Sequence, residues 1–132
     1  MVDPSNTNVR VSTKPGQLHC AGGRDVSLAE VGDDILNSAS WIKQQPGVAP
    51  DKVFAVGWSF EGGGLLAAVE VMPAGAPPIA KAAFYYPVCS RAKPWSSSGI
   101  VALMLLGGAD EVALPKLCDP MIRERHPATY AP

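Results

Sequence analysis

Histidine is scarce, with 2 residues in 132, and neither sign of charge is in excess, since 11 Lys and Arg against 12 Asp and Glu leave a net charge of -1. The basic residues are scattered, which excludes an electrostatic footprint for a nucleic acid or an anionic membrane. A small, fairly neutral partner is expected instead. Long apolar runs are also missing: the longest, around Ile100–Leu106 and Lys52–Val56, are strand-sized and far short of a bilayer span. The opening residues, Met1-Val2-Asp3-Pro4-Ser5-Asn6-Thr7-Asn8, lack the basic start and apolar stretch of a secretory signal, so a cytoplasmic location is expected. Cysteine is sparse and odd in number. Cys20, Cys89 and Cys118 are far apart, with no Cys-x-x-Cys pair and no nearby histidine pair for zinc, so buried free thiols are expected. Gly62-Gly63-Gly64 is followed by no Gly-Lys-Ser/Thr ending, which argues against a phosphate-binding loop.

What is present suits a folded chain. Apolar residues make up 47% and charged residues 17%, and the length fits one domain over residues 1–132. Residues 1–24 are polar and broken by Pro4, Pro15, Gly16, Gly22 and Gly23, with only Val9–Ser12 alternating as a short edge strand would. Ser27 with Glu30 three residues on forms a capping box, and Leu28, Val31, Ile35, Ala39 and Ile42 then recur at helical spacing until Pro46-Gly47. A strand follows at Lys52–Gly57, then a helix over Gly62–Met72. Further strands are expected at Ala80–Tyr86 and Ile100–Gly107, and a last helix near Pro115–Arg125. Buried-type strands alternating with helices predict an α/β fold, a doubly wound, mostly parallel sheet with helices on both faces. Ligands gather at the carboxyl ends of such strands, which here means just after Gly57, Tyr86 and Gly107.

Gly57-Trp58-Ser59-Phe60-Glu61-Gly62-Gly63-Gly64 follows the first strong strand. A serine hydroxyl attacks a carbonyl only when held on an exposed sharp turn beside a base, with backbone donors ready for the oxyanion. A strand–Ser–helix turn supplies that geometry, with glycine two residues before the serine letting strand and helix cross closely.

From about Asp33 to Arg123 the chain resembles the dienelactone hydrolase-like branch of the α/β-hydrolases. The resemblance rests on Trp41–Gly47, the strand and elbow Val53–Gly64, Tyr85-Tyr86-Pro87, and Leu105-Leu106-Gly107-Gly108-Ala109-Asp110. It implies a partial or minimal hydrolase core acting on short-chain carboxylic esters or lactones, with Ser59 as nucleophile and no metal or organic cofactor. It further implies Asp110 as the orienting acid. The family's order of serine, acid, histidine leaves His126 as the base, the only histidine downstream of Asp110. The backbone N–H of Phe60 is the implied oxyanion donor. Apart from the resemblance, Trp58, Phe60, Tyr85, Tyr86 and Trp95 are candidates to line an apolar acyl pocket at the strand ends, with core packing an equal reading for Phe60 and Tyr85.

The chain also departs from that pattern. Glu61 stands where the family has a second elbow glycine, and a side chain there is expected to strain the turn. Few strands precede the elbow. Leu18-His19-Cys20-Ala21-Gly22-Gly23 has only a loose likeness to an oxyanion loop, and 15 residues separate Asp110 from His126. Bland readings therefore stand beside the catalytic ones: Ser59 as an ordinary helix cap, Asp110 closing a turn, both histidines solvated. At the level of the whole chain, the alternative is a non-catalytic fragment or pseudo-enzyme, completed by a homo-oligomer through exposed sheet edges or by another chain.

Overall fold

The computed structural model describes residues 11–14, 17–19, 26–72, 77–89 and 100–125. Near the N-terminus Val11–Lys14 (β1) pairs antiparallel with Gln17–His19 (β2), so a strand is present over Val11 and Ser12 of the expected Val9–Ser12, residues 9 and 10 lying outside the described residues.

Helix α1, Leu28–Ile42, starts where the capping box put it. The Ser27 Oγ accepts from the Glu30 N–H at 3.2 Å, and the Glu30 carboxylate accepts from the Ser27 N–H at 2.9 Å. Two helix-end donors are thereby satisfied locally. Pro50–Lys52 forms a 3₁₀ turn, which delays strand β3 to Phe54–Trp58. Helix α2 spans Ser59–Val71 and so takes in the glycine triplet, while β4 spans Lys81–Tyr85 and β5 spans Val101–Leu105. A 3₁₀ turn at Pro115–Leu117 leads into α3, Asp119–Arg125.

The three later strands form one parallel sheet in the order β3-β4-β5, with Trp58, Tyr85 and Leu105 in register at their carboxyl ends. Period-two alternation gives this sheet two unlike faces. Ala55 and Gly57, Ala82 and Phe84, Ala102 and Met104 point to one side, where small residues let α2 approach closely. There the core assembles from Leu65, Leu66, Ala68 and Val69 of α2, Phe84 of β4, Ala39 of α1 and Met121 of α3. Phe84 is fully buried, a contribution of about 1.5–3 kcal/mol. Helix α2 is buried on more than one side because α1 packs across it, with Gly32 so close that an added Cβ would lie 2.9 Å from the Ala68 nitrogen. The second face carries Phe54, Val56, Trp58, Val101, Leu103 and Leu105, all exposed. Among the described residues the fold is therefore mixed α/β, with its helices packed on one face of the sheet.

The expectation of free thiols is corrected for two of the three cysteines, Cys20 lying outside the described residues. Cys89, after β4, and Cys118, before α3, are both buried and form a disulfide across 29 residues of sequence. Such bonds are typical of oxidising compartments. Among the described residues no helix is long and apolar enough to cross a membrane.

Candidate active site at the strand ends

Ser59 follows the last residue of β3 and opens α2. It does not occupy the helix-cap position, which falls on Trp58, with φ -117° and ψ 145°. Its own φ is +48°, in the left-handed region, at a cost of about 1–2 kcal/mol for a residue with a Cβ. That turn reverses the chain so sharply that strand and helix touch. A Cβ on Gly57 would lie 2.9 Å from the Gly62 Cα, and one on Gly62 would lie 3.0 Å from the Pro87 Cβ and 3.2 Å from the Gly57 oxygen. The close crossing thus uses Gly57 and Gly62, one residue later than the Gly-x-Ser-x-Gly spacing.

Glu61 consequently causes none of the crowding expected of it. Its side chain is exposed in the first turn of α2, where a carboxylate suits the positive end of the helix dipole. The strain sits on Ser59 instead. Phe60 is half-buried, and its position directly after Ser59 sets its N–H in the first turn of α2, one of the groups with no partner inside the helix.

A second non-glycine residue has positive φ: Tyr86, at +38°. Because Trp58 and Tyr85 are in register, Ser59 and Tyr86 are the next residues of adjacent parallel strands. Two strained positions therefore stand side by side, a clustering found at sites held in place by their surroundings. Their anchors are specific. The Val88 N–H donates to the Ser59 carbonyl at 3.0 Å, and the Tyr86 N–H donates to the Leu105 carbonyl at 2.7 Å, which links the three strand ends. The sequence marked Tyr86 as a strand end and a pocket wall without foreseeing its backbone, although Pro87 after it disfavours right-handed helical backbone there.

Beyond β5 the chain turns at Gly107–Asp110, closed by the Asp110 N–H donating to the Gly107 carbonyl at 3.0 Å. The half-buried Asp110 side chain caps the next segment. Its Oδ1 accepts from Val112 N–H at 2.8 Å and Ala113 N–H at 2.9 Å. Asp110 does close a turn, and these bonds fix its carboxylate through Oδ1 while Oδ2 takes no part in them. The Asp110 carboxylate is thus held in place. His126 and Trp95 lie outside the described residues, and His19 ends β2.

Trp58 projects to the exposed sheet face and stacks on Tyr85, with ring centres 5.9 Å apart and planes at 22°. A groove of about 460 Å³ lies along the outer edge of β3, which pairs with no further strand among the described residues, between Val31, Ile35 and Ile42 of α1 and Val53 to Val56, with Asp34, Ser38 and Glu61 as its polar groups. Ser59 does not line it. Among the described residues no group of three or more His, Cys, Asp or Glu could hold a metal ion. No protein-family model, curated protein or solved structure matches the chain.

Proposed function

We propose that the chain carries the elbow and acid loop of a doubly wound α/β-hydrolase core, and acts as a serine esterase on short, uncharged carboxylic esters or lactones. The observation that carries this reading is Ser59 at φ +48° on a strand-to-helix turn, with Gly57 packed on Gly62 beneath it. An L-residue in that region costs stability, and a glycine would relieve the cost, so a reactive hydroxyl is a reason for serine to be there.

In this mechanism the Ser59 Oγ attacks the ester carbonyl carbon as His126 takes the hydroxyl proton. The carbonyl electron pair moves to oxygen, where the Phe60 N–H holds it. Collapse expels the alkoxide, which leaves with the proton from His126. Water, deprotonated by the same imidazole, then attacks the acyl carbonyl and returns Ser59. Asp110 orients the imidazole through Oδ2, its Oδ1 being held by the backbone.

The test is hydrolysis of p-nitrophenyl acetate by the 132-residue protein, by Ser59→Ala and by His126→Ala. Both variants are expected to lose about three orders of magnitude or more in kcat. Activity surviving in Ser59→Ala would sink the proposal, and activity surviving only in His126→Ala would move the base to another group such as His19. A second reading, the non-catalytic fragment or pseudo-enzyme, is favoured by the uncovered sheet face and the groove that bypasses Ser59. An inactive but folded parent protein is its expected result.

A further inference from the structure

The face of the parallel sheet that no helix covers among the described residues is built of three rows in register. Phe54, Lys81 and Val101 form the first, Val56, Ala83 and Leu103 the second, and Trp58, Tyr85 and Leu105 the third. Its six large apolar side chains range from 43% exposed at Leu105 to 64% at Val101. Together they leave on the order of 600 Å² in water, the top of what a monomer ordinarily shows as one patch. Parallel sheets are otherwise found with both faces covered.

We infer that this face is an interface between two copies of the chain, packed sheet against sheet. The area is the argument: with Lys81, Ala83 and Tyr85 added, the face approaches the roughly 800 Å² per partner that a stable dimer buries. Charge then selects the geometry. Lys81 is the single charged residue of the face, its Nζ 5.9 Å from the Phe54 ring centre. A two-fold axis along the strands would set Lys81 against its own copy, a like-charge contact. An axis across the strands sets each strand against its copy running the other way. Lys81 then faces an aromatic row, opposite Tyr85 of the partner subunit, and Leu103 faces its own copy. The sheets would lie about 10 Å apart.

This assembly is independent of ester chemistry and is read without it. Sedimentation velocity of the full chain at tens of micromolar should give twice the 13.8 kDa monomer mass. Leu103→Lys should give monomers with an unchanged far-UV spectrum, and Val71→Lys, at an exposed position on α2, should leave the dimer intact. Should Leu103→Lys fail to fold, Leu103→Cys in a Cys20→Ser background supplies the second readout. A bis-maleimide spanning about 10 Å should link two copies there, and should not link Val71→Cys in the same background. A monomeric parent, a folded Leu103→Lys dimer, or no cross-link at Leu103→Cys would each overturn the inference. The folded Leu103→Lys dimer would point to pairing through the β3 edge instead.

Discussion

Replacing Gly62 with alanine adds one methyl group in the first turns of α2. On helix propensity alone the change should stabilise the chain by up to about 1 kcal/mol. The structure predicts the opposite sign. The added Cβ would stand 3.0 Å from the Pro87 Cβ, 3.1 Å from the Pro87 Cα and 3.2 Å from the Gly57 oxygen. These are a closed proline ring and backbone, with no flexible chain end to swing aside. Overpacking of this kind costs about 1–3 kcal/mol, so the net loss is about 1 kcal/mol. Urea unfolding followed by circular dichroism should show a midpoint lower by about 0.5 M with an unchanged slope. Gly108→Ala is the control, because nothing lies within 4 Å of its added Cβ and its φ is not in the left-handed region. It should be neutral or stabilising by up to about 1 kcal/mol. A midpoint that rises in Gly62→Ala would refute the close strand–helix crossing, and the elbow geometry with it.

Cutting the Cys89–Cys118 bond, by Cys118→Ser or by a reductant, should lower unfolding free energy by about 3.5 kcal/mol from the entropy of its 29-residue loop; a fall under about 1 kcal/mol in urea would speak against the bond. Asp110→Ala leaves the Val112 and Ala113 N–H groups without their acceptor and should cost about 1–3 kcal/mol in the same titration, with Asp110→Asn milder because it keeps one carbonyl oxygen. Ser27→Ala should lose about 1 kcal/mol through the capping box of α1, and an unchanged midpoint would show that the box contributes nothing. In the esterase assay Asp110→Asn should lower kcat by about 10⁴, as expected where the carboxylate sets the imidazole tautomer, whereas a purely structural Asp110 would leave it near the parent value.

Much of this architecture was readable because local signals agreed with the final environment. Ser27, Glu30 and Pro46-Gly47 bracket α1 by capping and chain-breaking chemistry, which needs no tertiary partner. The start of α2 was misplaced by three residues: the expected helix opened at Gly62, and it begins at Ser59 because the sharp turn there lets the glycines fit against Pro87, Val88 and α1. The turn at Ser59 was legible as a pattern of glycines around a serine. Which glycine makes the contact was not, since that depends on where Pro87 returns. The disulfide was hidden by an odd cysteine count, as spacing along the chain carries no information about two loops that meet in space. The all-apolar character of β3 pointed correctly to a parallel strand, yet it could not say that one face would find no helix among the described residues.

The left-handed backbone at Ser59 has a consequence for how variants of this chain would fare under selection. A screen that rewards only resistance to heat or protease should favour glycine or asparagine at position 59, since both adopt this backbone at lower cost. A screen that rewards ester turnover should admit only serine, or cysteine as another nucleophile. Position 59 is therefore where the two pressures separate, and the residue each one enriches would show whether stability or chemistry keeps the hydroxyl there.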